Sequence, residues 1–205
     1  MASNFNCIDV GCHKGEILDS ILSLAPDGKH FAFEPLPNFY QSLIKKYKGK
    51  ATIFSYALSD HTGNSTFQFV KNAPAYSGIK KRKYETEITD IEEIQVELKT
   101  LDDVIPNELP IHFIKIDVEG GEMGVLKGAQ KLLLQNKPYI IFECGLGASE
   151  FYGTKPEDVF NFITSEIGLK ISRLKSFVAN NSSLTFSEFI DCYNHKKEYY
   201  FIAHI

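Results

Sequence analysis

The first 58 residues alternate between two kinds of segment, and that alternation leaves few folds open. FNCIDV (Phe5–Val10), HFAFE (His30–Glu34) and ATIFSYAL (Ala51–Leu58) are apolar runs of strand length. Between them, Gly15–Ala25 places Ile17, Leu18, Ile21, Leu22 and Leu24 mostly along one helical stripe. Asn38–Tyr47 spaces Phe39, Leu43 and Tyr47 by four, with Asn38 as its candidate N-cap. Pro26-Asp27-Gly28 closes the first helix with turn residues. Strand, helix, strand, helix, strand is the order of a parallel sheet with right-handed crossovers.

The pattern resumes at IHFIKIDV (Ile111–Val118), an apolar run carrying Lys115 in its middle. Alternation aims Lys115 away from the faces of its immediate neighbours, where it needs an acidic partner. A helix over Glu122–Asn136, a strand over Pro138–Cys144 and a helix over Lys155–Gly168, with Pro156 in its first turn, follow. Two late strands, Leu169–Lys175 and Glu198–Ile205, show no convincing crossover between them. Asn64–Lys71 and Glu93–Leu101 instead alternate apolar and polar residues, as half-exposed strands do. They bracket Asn72–Asp90, which is polar, aperiodic and basic at its centre, and reads as a mobile loop on two added strands. The expectation is one α/β domain over residues 1–205, with 64–101 as an insertion.

Composition narrows the partners. A net charge of -4 gives no whole-domain footprint for nucleic acid. No apolar run approaches the roughly 20 residues of a membrane-spanning helix. MASNFNC has neither the basic region nor the apolar stretch of an export signal. The four cysteines, Cys7, Cys12, Cys144 and Cys192, lack zinc-site spacing, which fits free thiols in a reducing cytoplasm and assigns no metal.

The end of the first strand carries the chemistry. In an open parallel sheet, ligands sit beyond the carboxyl ends of the strands, beside the point where strand order reverses. Gly11 lets the backbone turn and approach a ligand, and Gly15 lets the next helix begin close by. The register is D-x-G-x-x-x-G rather than the G-x-G-x-x-G that cradles a pyrophosphate. Asp9 favours a cationic ligand and repels a phosphate. Glu34, 19 residues beyond Gly15, stands where an acid accepts hydrogen bonds from ribose hydroxyls. An adenosine with a positive tail and no pyrophosphate meets these conditions, and S-adenosylmethionine is such a molecule.

DVGCHKG, FEPLPNFYQSL, ALSDHTGNSTF, KTLDDVI, IKIDVEGGEMGVLKGA and IIFEC, in this order, resemble the FkbM family of S-adenosylmethionine-dependent methyltransferases over nearly the whole chain. The resemblance implies a Rossmann-like sheet of seven strands, mostly parallel with an antiparallel last strand, and helices on both faces. It assigns the cofactor to Asp9, Gly11, Cys12, His13, Gly15, Glu34 and Pro35, with Ala57, Leu58 and Ser59 beside the adenine and Asp117 near the methionine part. Cys12 and His13 stand where the family more often has Ala and Asn. Such domains also carry a helix ahead of the first strand, and only four residues precede Phe5.

The implied reaction is O-methylation of a sugar, glycan or other natural-product hydroxyl, and the rival is an inactive nucleotide-binding module or partner subunit. A hydroxyl needs a group to take its proton. Asp117, His13, Glu119 and Glu143 are the candidates. Simpler roles compete: Asp60 as a turn-former, Asp117 as a cap, and Glu119 and Glu122 as complements to a helix dipole. KKRK (Lys80–Lys83) reads as a solvated loop or as a lid meeting an anionic acceptor, with Tyr76 and Tyr84 as stacking surfaces.

Overall fold

The computed structural model describes residues 1–84 and 90–205, so the loop reading for 85–89 lies outside the described residues. β1 (Cys7–Val10) is buried along its length and ends at Gly11. α1 (Glu16–Leu24) buries Leu18 and Ile21, while Ile17 and Leu24 are exposed. β2 (His30–Phe33) leads into α2 (Pro37–Lys46). The residue capping α2 is Leu36, not Asn38: Pro37 occupies the first turn, and the Leu36 N–H is held by the Glu34 carboxylate.

The expected third strand is two strands in two sheets. β3 (Thr52–Phe54) pairs with β2, and after Ser55 and Tyr56 the chain forms β4 (Ala57–Leu58). β4 joins a three-stranded sheet with β5 (Gly63–Val70) and β6 (Ile91–Lys99), in the order β4-β6-β5. The two added strands are therefore a hairpin that catches the chain as it leaves the main sheet.

α3 (Leu101–Val104) is capped by Thr100 and precedes β7 (Phe113–Ile116). The long helix expected over Glu122–Asn136 breaks into α4 (Glu122–Lys127) and α5 (Gln130–Asn136). Asp102 causes the break: its carboxylate accepts from the N–H groups of Lys131 and Leu132, and its own N–H donates to Gly128. β8 (Tyr139–Glu143), α6 (Pro156–Asn161) with a π turn through Ile167, and β9 (Lys170–Arg173) come next. The last stretch also departs from expectation. α7 (Leu174–Val178) and α8 (Phe186–Asn194) lie between β9 and β10 (Tyr200–His204). A Thr185–Glu188 capping box starts α8, which buries Phe189 and Cys192 in the core.

The main sheet has seven strands in the order β3-β2-β1-β7-β8-β10-β9, with β10 antiparallel to both neighbours. Strand order reverses at β1, which is flanked by β2 and β7, as the sequence pattern required. The larger core joins Ile8, Ile114, Ile140, Phe142 and Phe201 to α4, α5 and α8. A smaller one packs Leu18, Leu43 and Tyr47 against Ala32. All four cysteines are free and buried. Among the described residues no helix is long and apolar enough to cross a membrane.

Candidate functional site

The turn after β1 is pinned by backbone hydrogen bonds, to which side chains add their own. The N–H groups of Gly11 and Cys12 both donate to the Phe33 carbonyl at 3.1 Å, and the Asp117 N–H donates to Val10 at 3.2 Å. Gly11 has φ 72°, and a Cβ there would lie 1.9 Å from the Asp117 carbonyl oxygen. Gly15 has φ 83°, and a Cβ would lie 2.2 Å from the Tyr47 hydroxyl, which donates to the Gly15 carbonyl. Both glycines are therefore demanded by close approach as well as by left-handed backbone. His13 adopts φ 48° between them without a glycine's freedom.

Glu34 closes the turn from β2. One carboxylate oxygen accepts from the His13 N–H and the other from the Leu36 N–H, both at 2.9 Å. The residue is 5% exposed. Burial pushes its carboxyl up to about 7 despite those two bonds. Each oxygen keeps acceptor capacity for a further donor.

An open cavity of about 1060 Å³, its mouth included, spreads from this turn across the strand tips. Gly11, Cys12, His13, Glu34 and Pro35 form one wall, with Ala57 and Leu58 beside them. Asp117 and Glu119 form the opposite wall. Asp9, Gly15, Ser59 and Glu143 do not line it. Asp9 is fully buried beneath the floor, with the Lys115 ammonium 3.5 Å from its Oδ1, so it does not face a cationic ligand directly. Ser59 turns its hydroxyl to Asp60, which also pairs with His61 at 2.7 Å. Glu143 stands apart from the cavity, yet its carboxylate, with those of Asp117 and Glu119, offers oxygens within 4.8 Å of one another.

His13 brings an unpartnered polar atom to the Glu34 wall. Its ring leans on Phe39 with centroids 4.5 Å apart, and its buried Nε2 has no hydrogen-bond partner among the described residues. Burial, then the charge of Lys14, lowers its pKa, so the ring stays neutral and can accept a proton.

The opposite wall is built from side chains. Glu119 has φ 59° and Gly120 φ 103°, where a Cβ would lie 2.6 Å from the Ala148 backbone. Glu122 does not merely complement a dipole. Its Oε1 accepts from the N–H groups of Val118 and Gly120, and its full burial lifts its carboxyl to about 7. Above it runs the segment from Lys71 to Tyr84. Gly78 bridges Gln68 at the edge of β5, the Lys80 N–H donates to the Tyr152 hydroxyl at 3.1 Å, and the Lys83 N–H donates to Gly147 at 3.0 Å. Arg82 is not solvated: it pairs with Glu119 and lies over the Tyr76 ring, 5.1 Å from its centroid. Tyr76 thus stacks with the protein's own guanidinium, and Arg82 brings a positive charge to Glu119 among the three carboxylates. Ser77 and Ile79 from this segment also line the cavity.

Sequence reading missed Lys115 as a site residue, although a lysine inside an apolar strand was the visible signal. It missed Ser77 and Ile79 because nothing local marks where a loop will fold back.

The methyltransferase FkbM domain family matches residues 9–170. Among solved structures, a methyltransferase FkbM from Methylobacillus flagellatus KT superposes with TM-score 0.60 at 16% identity, covering 100% of this chain and 44% of that one. The chain thus spans less than half the length of that structure. A precorrin-6y C5,15-methyltransferase from Geobacter metallireducens GS-15 gives TM-score 0.45 at 13% identity, covering 84% of this chain and 66% of that one. A TehB-like SAM-dependent methyltransferase from Corynebacterium glutamicum ATCC 13032 Kitasato gives 0.43 at 10%, covering 98% and 78%. Comparison with curated proteins gives no match.

Proposed function

The chain belongs to the FkbM methyltransferase family, and from that premise we propose that it transfers a methyl group from S-adenosylmethionine to a hydroxyl of a sugar, glycan or other natural product. One observation carries the cofactor: a buried carboxylate at the tip of β2, pinned by two backbone N–H groups, beside a turn whose Gly11 leaves no space for a side chain. Glu34 has acceptor capacity left for a ribose diol, and Leu36, Ala57 and Phe67 give the flank an apolar surface for a base. The orphaned His13 Nε2 marks the same wall as built for a polar ligand. Asp117 stands opposite, on the cavity surface, where it meets an ammonium group without a phosphate's repulsion.

The sulfonium of the bound cofactor supplies a methyl group already activated for displacement. The protein holds the acceptor oxygen in line and excludes water. Asp117 is the leading group to take the hydroxyl proton, since Glu119 is committed to Arg82 and Glu143 lies off the cavity. His13, neutral and unpartnered, is the second. Residues 1–205 act in this reading as one catalytic unit, working in a reducing cytoplasm.

Calorimetry with S-adenosylhomocysteine, the demethylated product, tests the cofactor; saturable micromolar binding is expected, and no heat overturns the reading. Transfer of labelled methyl to a panel of glycans and small-molecule alcohols tests the reaction. Binding without transfer to any of them favours the inactive-module alternative. With cofactor held at saturation, Asp117→Asn is expected to slow transfer by about 10²-fold or more, beyond the product affinity it loses with the ammonium contact.

A further inference from the structure

Lys115 occupies the centre of β7 between Ile114 and Ile116, both fully buried. Its side chain nevertheless ends at the floor of the cavity. The parallel register sets Lys115 directly across from Asp9 on β1. Its Nζ donates to the Gly11 carbonyl at 2.7 Å and the Val10 carbonyl at 3.2 Å. It lies 3.5 Å from Asp9 Oδ1 and 3.7 Å from Asp117 Oδ2.

Asp9 is the acute case. It is fully buried, and neither carboxylate oxygen has a hydrogen bond of ordinary length among the described residues. Two carboxylates close to one site, with no cation between them, share a proton instead of both ionising. Lys115 is placed to prevent that.

We propose that Lys115 is a positioning residue, the common counter-ion that keeps Asp9 and Asp117 ionised side by side and pins the Gly11 turn, so that the floor meets the ammonium end of the cofactor with full negative charge. This rests on the S-adenosylmethionine reading of the cavity. The other charged or titratable groups around it are Glu34 beyond β2, Glu143 at the end of β8, Glu16 at the start of α1, the neutral His13 and Cys12 in the turn, Glu122 on α4, and Arg82 with Glu119 from the opposite wall. Tyr200 at the start of β10 completes the set. Burial raises the carboxyl pKa of Asp9, Glu34 and Glu143, and in each case Lys115 opposes it. A lysine serving only to fill space has no such reach across three strands.

The test is the affinity for S-adenosylhomocysteine by calorimetry from pH 5 to 8, on wild type, Lys115→Met, Lys115→Arg and Asp9→Asn, each checked by thermal melting. Wild-type affinity is expected to fall on acidification. In Lys115→Met the fall moves to higher pH by about one to three units. Lys115→Arg keeps the charge and the wild-type profile. Asp9→Asn moves the fall to lower pH, because Asp117 then has the ammonium to itself. If Lys115→Met does not fold, Asp9→Asn carries the test, and a profile unmoved or moved upward overturns the proposal. Wild type giving no heat removes the cofactor reading, which is a different failure from a bound wild type whose variants keep its profile.

Discussion

The two walls of the cavity are made in different ways. The Glu34 wall comes mainly from one stretch, Cys7 to Leu36, in which β1, its glycine turn, β2 and the residues after it follow in order, and each of its bonds has a backbone group on at least one side. The Glu119 wall draws on three separate stretches around Arg82, Glu119 and Tyr152, joined by an ion pair, a shared hydroxyl and one strand bridge. A wall held by backbone tolerates no added atom. One held by side chains can lose a contact and keep its shape. Sensitivity to substitution should therefore be nearly all-or-none on the first wall and graded on the second.

The largest effect belongs to Gly11→Ala. The new Cβ falls 1.9 Å from the carbonyl oxygen of Asp117, whose own N–H is bonded to Val10 at the end of the β1–β7 pairing, and φ 72° strains any side chain. A loss of about 3 kcal/mol in urea unfolding is expected, from backbone strain and steric clash together. S-adenosylhomocysteine binding should vanish with it. A variant that melts and binds like wild type would show the turn to be as forgiving as the opposite wall.

The same contrast explains what could be read in advance. The strand order, the reversal at β1 and the Gly11–Glu34 wall follow from local rules: apolar period, glycine at a strand end, an acid at the next strand tip. Boundaries failed where a distant residue decided them. Asp102 splits the helix at Gly128, and β6 draws Ala57 and Leu58 into a second sheet. Lys115 was visible as an anomaly, but its partner was not, because Asp9 is brought opposite only by strand register. Arg82 looked solvated since nothing near it in sequence announces Glu119.

A smaller effect sharpens the contrast through pH. Glu34 on one wall and Glu122 beneath the other both have carboxyls raised by burial to about 7 from the ordinary 4.5. A carboxyl raised on folding binds its proton more tightly in the native state. Its stabilising contribution is complete below about 4.5 and is lost as pH rises through about 7. Each group can account for up to about 3 kcal/mol of that slope. Asp19, Asp60 and Asp191 titrate in the opposite sense, so the difference between variants is the clean measure. Glu122→Gln keeps an acceptor for Val118 and Gly120, and should match wild type near pH 4.5 while exceeding it at pH 8 by about 1–3 kcal/mol. Glu34→Gln should gain less or nothing, because its amide NH2 faces one of the His13 and Leu36 N–H donors, and it should lose product affinity, which Glu122→Gln should keep. Equal loss of binding in both would mean that the two walls respond as one.

The smallest effect is the most direct on whether the walls are separate. Arg82→Met removes the cation paired with Glu119 and leaves the Tyr76 ring uncovered. Glu119 borders the open cavity and can rehydrate, so the cost in global stability should be about 1 kcal/mol rather than that of a sealed pair. Local opening is where the change should appear. The amides of Gly78, Lys80 and Lys83, bonded to Gln68, Tyr152 and Gly147, should exchange hydrogen about tenfold faster. Those of Gly11, Cys12 and His13, bonded to Phe33 and Glu34, should keep their wild-type protection, because no bond in their turn passes through Arg82. Faster exchange at both sets would place the two walls in a single cooperative unit, and the backbone turn would then owe its rigidity to the side chains opposite.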